Sequence, residues 1–194
     1  MLISKQRSEI MEDKLKHVFE EAINTMNALG FENNDWAVHG KHALRFDGFK
    51  VYLRKKHINL IINTKKVPWK IEFLNFVETM PPIHSDEMKT YLNFHEKTKY
   101  NLDITPVEEK IFKELEKKEL SLVNKKILYL SPLSVLKIRE IKIEKSTPDF
   151  LGKEKGKRLL NAIQALFEQA TKKNNEKIVF ECERIINKFD GQFD

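Results

Sequence analysis

The chain has 194 residues, 41% of them hydrophobic, a net charge of +6 and one cysteine, Cys182, which is enough for a real core and excludes a disulfide scaffold or a wholly disordered chain. No apolar run approaches the roughly 20 residues that a helical bilayer span needs, which excludes a membrane-spanning helix. Residues 1–16 mix charges of both signs in place of a signal peptide's apolar core, so the cytoplasm is the expected compartment.

In chain order, Ile10, Met11, Leu15, Val18, Ala22, Met26 and Leu29 recur at helical spacing, and Gly30 supplies the stop. Trp36 to Val38 is a short apolar stretch ended by Gly40. Ala43, Leu44 and Phe46 follow as a short helix or turn and lead to an Asp47-Gly48 turn. Phe49, Val51 and Leu53 alternate with Lys50, Tyr52 and Arg54, which predicts a strand, and Lys55-Lys56 bridges it to a second at His57 to Ile62. Trp69, Ile71 and Phe73 predict a third. Thr105-Pro106-Val107-Glu108 reads as a capping box opening a helix of about 14 residues. Lys126 to Leu130 predicts a short strand, and Ser131-Pro132 opens a helix through Leu136 and Ile141. Thr147-Pro148 begins another capped segment, and two amphipathic helices follow, one through Leu159, Ile163 and Leu166, the other through Ile178, Cys182 and Ile185. The expected class is α+β, with residues 1–145 as an α/β core carrying inserted helices and residues 146–194 as a helical segment packed on it.

The positive charge is local. Residues 41–70 hold nine Lys or Arg and one acid, Asp47, for +8, which leaves −2 over the rest of the chain. Such density attracts phosphate-rich ligands by field focusing and counter-ion release. The alternative is a solvated face whose lysines serve solubility. Trp36, Tyr52 and Trp69 interleave with these cations. Tyr52, in phase with Lys50 and Arg54, is the candidate for stacking on a base, whereas Trp36 and Trp69, between alternating apolar residues, read as core. No protein partner is indicated.

The chemistry centres on His57-Ile58-Asn59. Two polar residues flanking an apolar one on a strand share a face, an arrangement that holds magnesium when both are carboxylates. Here they are an imidazole and an amide. His39, His42 and His57 raise the alternative of a transition-metal site, to which imidazole is suited. Asp47 and Asp103 are readable as turn residues, and Cys182 as a buried structural thiol on an apolar helix face.

The order of a Gly-containing turn (Trp36-Ala37-Val38-His39-Gly40-Lys41-His42), a basic ribbon ending in Lys56-His57-Ile58-Asn59, a further strand with Glu72, and the late Leu130-Ser131-Pro132 helix carrying Lys137 resembles the nucleotidyltransferase superfamily, in particular its minimal antibiotic- and toxin-type branch. That resemblance implies a small mixed β-sheet flanked by helices, with a helical C-terminal part. It places Gly40 at the first glycine of the turn and Lys41 at the second small residue. His57 and Asn59 stand where two metal-binding acids belong, with Glu72 at the third acid. Lys41, Arg45, Arg54, Lys56 and Lys137 become the expected phosphate contacts for a nucleotide or nucleic acid. With both paired acids replaced, the resemblance implies a degenerate metal-binding motif, no two-metal transfer and no cofactor. Mg2+ enters only in the alternative of an active transferase with a rearranged acid site. A further alternative is a non-enzymatic RNA- or partner-binding module, such as a toxin–antitoxin component.

Overall fold

The computed structural model describes residues 18–20, 22–27, 30–51, 57–63, 77–78, 90–95, 100–122, 125–146 and 150–193. Residues 18–20 and 22–27 are helical (α1). There follow β1 (Trp36–His39), α2 (Gly40–Phe46), β2 (His57–Asn63), β3 (Val77–Glu78), β4 (Thr90–His95), β5 (Tyr100–Val107), α3 (Glu109–Glu114), β6 (Lys117–Leu122), β7 (Lys125–Leu130), α4 (Pro132–Glu144), α5 (Phe150–Lys172) and α6 (Glu176–Lys188). The fold is α+β: a mixed sheet of seven strands in the order β3-β4-β5-β2-β1-β7-β6, flanked by helices and ending in a helical C-terminal part.

The sheet's centre is buried on both faces, as the near-continuous apolar runs of β1 and β2 require. Trp36, Ala37, Val38, Ile58, Leu60, Ile61 and Ile62 are all buried. β1 runs antiparallel to β2 and parallel to β7, and β2 runs parallel to β5. Val38 pairs with Tyr129, whose ring meets Phe46 of α2, and Phe46 in turn meets Phe19 of α1. That side belongs to α1 and α2. Ala37 pairs with Ile61, and Ile61 with Thr105. Being of opposite parity to Val38, this set lies on the other face, where Lys142 of α4 reaches Thr105.

Several local signals produce the elements they predict. Ser131 caps α4 by accepting from the Ser134 backbone N–H, with Pro132 at the first helical position, and Asn175 caps α6 through the Ile178 N–H. Trp36 and Cys182 are buried as expected. Three expectations are corrected. Phe49 to Val51 is loop, not strand, because α5 holds it: Gln169 accepts from the Lys50 N–H at 2.7 Å and donates to the Lys50 carbonyl at 2.8 Å, which takes up the backbone groups a strand partner would use. The Thr105-Pro106 signal opens no long helix, since Tyr100–Val107 is a strand paired with β2 over seven positions and only the six-residue α3 follows. β4 pairing ends at Ile104, so Pro106 lies where β5 has a single neighbour, and proline is tolerated there. Lastly, the sheet is larger than the three clustered strands expected, and Lys117–Leu122 adds an edge strand. The predicted strand around Trp69 and the Thr147-Pro148 cap lie outside the described residues.

The helical end is tied together by charge and by one close apolar contact. Glu140 of α4 accepts from Arg184 and Lys188 of α6, which pull its carboxyl down to about 2. A methyl group on Gly156 of α5 would come 2.4 Å from the ring of the buried Phe193. Gly156→Ala is therefore expected to cost about 1 kcal/mol by displacing that ring. In a Phe193→Ala background the same change should instead stabilise by about 1 kcal/mol, the helix preference for alanine over glycine. Urea denaturation of the two single variants and the double variant checks this reversal of sign, and equal effects in both backgrounds would refute the contact.

Candidate functional site

β1 ends at His39, and the chain turns at once into α2 through Gly40, whose φ of +68° is comfortable only for glycine. A side chain at position 40 would also come 3.2 Å from Asn59 Nδ2. The turn thus packs its bare backbone against the Asn59 amide. Pairing continues this line across the sheet: His39 is beside Asn59, Asn59 beside Asp103 and Asp103 beside Tyr91, a rung crossing β1, β2, β5 and β4. The next rung on the same face is Ala37, Ile61 and Thr105.

α4 lies over this face. Lys142 Nζ donates to Thr105 Oγ1 at 3.1 Å. Arg139, three residues earlier and so on the same side of the helix, donates to the Ala162 carbonyl of α5 at 3.1 Å. Arg139 is only 8% exposed, and among the described residues it has no carboxylate partner. Burial lowers its guanidinium to about 10, so it stays charged at neutral pH. His39, 6% exposed, is held well below the ordinary histidine range by burial, then by Lys142 and Arg139. It is a neutral imidazole at pH 7, and its Nε2 is buried without a hydrogen-bond partner among the described residues. Ala37 and Ile61 are sealed, whereas Asn59, Thr105 and Lys142 are half-buried. Along this face solvent thus reaches Asn59, Thr105 and Lys142, while His39 stays buried.

Of the residues expected from sequence, Gly40 and Asn59 are brought into contact. His57 occupies the β2 position paired with Asn101, two residues from Asn59. Lys41 and Arg45 follow on α2, the first exposed and the second half-buried. Lys137 points elsewhere: its side chain is 41% exposed and pairs with Glu114 of α3 at 2.7 Å. Arg54, Lys56, Glu72, Tyr52 and Trp69 lie outside the described residues. His42 is on α2 with its ring edge-on to Phe19, 5.5 Å between centroids. Among the described residues no three His, Cys, Asp or Glu side chains gather as a metal site would need. Burial pushes the Cys182 thiol up to about 12, which leaves no thiolate nucleophile at neutral pH. Asp103 corrects the turn reading, for it is a strand residue in register with Asn59. Sequence reasoning also passed over Arg139 and Lys142, whose only signal is their spacing of three in a helix rich in basic residues.

No family model matches this chain, and no curated protein does. A solved structure that aligns with it is the crystal structure of an antigenic nucleotidyltransferase-like protein from Paracoccidioides brasiliensis, 11% identical over 88% of this chain and 93% of that one, with a TM-score of 0.43. At that level no residue's role passes from one protein to the other.

Proposed function

We propose that this is a nucleotidyltransferase-like protein that binds a nucleotide or nucleic acid beside the Gly40 turn and does not carry out standard two-metal nucleotidyl transfer. The observation that carries the reading is the composition of the His39–Asn59–Asp103 rung next to Gly40. A nucleotide-transferring site of the two-ion kind needs several hard oxygen ligands with negative charge. Here the positions on hand are an imidazole, an amide and a single acid, with His57 as a second imidazole on β2 and two cations on the overlying helix. That set does not fit a pair of magnesium ions. It suits an anionic ligand, as does the +8 charge that the sequence carries over residues 41–70.

Isothermal titration calorimetry against ATP, CTP, GTP and UTP, and against a single-stranded RNA of about ten nucleotides, tests the reading in Mg2+, Mn2+ or EDTA. The expected result is binding unaffected by EDTA and weakened by salt. Nucleotide binding that appears only with a divalent ion, accompanied by nucleotide incorporation, would overturn it in favour of an active transferase built on Asp103 or Glu72.

A further inference from the structure

β6 is the last strand of the sheet, and β7 is its single strand neighbour among the described residues. The phase of that pairing is set just before the strand, where the Ser131 N–H donates to the Glu116 carbonyl at 3.1 Å, one step ahead of the Lys117–Leu130 pair. Bonded and non-bonded positions alternate along an antiparallel ladder, so Lys118, Leu120 and Leu122 bond to β7. The backbone N–H and C=O groups of Lys117, Glu119 and Ser121 therefore point out of the sheet, and no hydrogen bond from the described residues reaches them.

Open edges are commonly guarded by lysines, whose charges repel an incoming strand. Here those charges are turned back into the protein. Lys117 Nζ donates to the carbonyls of Phe112 and Leu115 and lies over the Phe112 ring, Lys118 pairs with Asp47, and Glu119 pairs with Lys126. Beyond them the edge presents Leu120 and Leu122, half-buried on one face, with the exposed Ser121 between them on the other.

We propose that β6 pairs antiparallel with β6 of a second copy of this chain, joining two sheets into one across a two-fold axis. An axis normal to the sheet keeps each face on its own side, so paired residues share parity, and two registers overlap over most of the strand. The register centred on Glu119 sets that carboxylate against Glu119 of the second copy, a destabilising like-charge pair. The register centred on Leu120 sets Leu120 against its own equivalent, Lys118 against Leu122 and Glu119 against Ser121. It opposes no like charges, joins the outward backbone groups of Glu119 and Ser121 by hydrogen bonds, and gathers the half-buried leucines into one cluster. The edge is thus complementary to itself. So short a seam buries less than the roughly 1,200 Å² of a standard interface, and the dimer is expected to be weak.

Sedimentation equilibrium of the full chain from about 10 μM to about 1 mM is the test, since a weak dimer forms across that range. Wild type is expected to pass from monomer to dimer as the concentration rises. Ser121→Pro removes an outward N–H that β7 does not use, which an edge strand tolerates, and should weaken the dimer by about tenfold or more with the far-ultraviolet circular dichroism unchanged. Leu120→Lys, which sets two ammonium groups across the axis, should do the same, and Ser121→Pro decides if Leu120→Lys does not fold. Oxidative cross-linking reads the register: Leu120→Cys should link two copies and Glu119→Cys should not, with the buried Cys182 taking no part. A wild type that stays monomeric throughout, or a dimer unmoved by both Ser121→Pro and Leu120→Lys, would overturn the proposal. Cross-linking of Glu119→Cys in preference to Leu120→Cys would overturn the register centred on Leu120.

Discussion

Lowering the pH from 7 to 5 is expected to destabilise the fold through His39. The sign follows from its burial. In the unfolded chain this imidazole takes a proton near pH 6.5, whereas in the native state burial, Lys142 and Arg139 keep it neutral to well below that value. Between the two values the unfolded state binds more protons, so the contribution is fully present above pH 6.5 and is lost as the pH falls toward the native value. Urea denaturation at pH 7, 6 and 5 should show a falling midpoint in wild type. His39→Gln, which cannot titrate, should lose stability at pH 7 and then hold a midpoint much less sensitive to pH. Equal pH slopes in the two proteins would show that His39 charges as easily in the native state as in the unfolded one. Glu140 acts in the same direction much lower on the scale. Its carboxyl, pulled down to about 2 by Arg184 and Lys188, contributes above the ordinary carboxylate range and is lost as the pH falls toward 2. The two effects thus occupy separate windows.

What was legible in the sequence was whatever local chemistry decides. The Ser131-Pro132 cap, the Asp47-Gly48 turn, the β2 run and the amphipathic stripes of α5 and α6 are each specified by neighbours a few residues away, and each forms. The failures lie where a distant partner outweighs the local signal. Thr105-Pro106 carries good helix-start chemistry, yet seven paired positions with β2 hold it as strand. Phe49 to Val51 alternates like a strand, yet Gln169, 119 residues away from Lys50, claims its backbone. The site divides the same way. Gly40 and Asn59 were foreseeable because a glycine turn and a polar strand position are local marks. Asp103 was not, because its meaning comes from register. Choosing Lys137 over Arg139 and Lys142 was undecidable along the chain. Residues two apart on a helix face opposite ways, and only the packing of α4 says which side meets the sheet.

Register also yields a sharp consequence for the rung itself. Replacing His57 and Asn59 with aspartates would set three acids, with Asp103, on two neighbouring strands about 4.8 Å apart. Like charges this close raise one another's pKa values and destabilise the native state. Among the described residues, Lys142 brings one positive charge to this face through Thr105. The double variant is therefore expected to be less stable than wild type by about 1–3 kcal/mol in EDTA, since most damaging single changes cost that much. A divalent ion bound by the new carboxylates would reverse the loss, because anything that binds only the native state stabilises it, by about 2.7 kcal/mol at a hundredfold excess over Kd. Thermal unfolding in EDTA and in 10 mM Mg2+ reads this directly: the double variant should gain several degrees with magnesium, and wild type none. Nucleotide binding should follow the same pattern, metal-independent in wild type and at least tenfold tighter with magnesium in the variant. If the variant is as indifferent to magnesium as wild type, then residues 57, 59 and 103 do not converge on one ion, and the likeness of this rung to a metal-binding strand pair is one of sequence order alone.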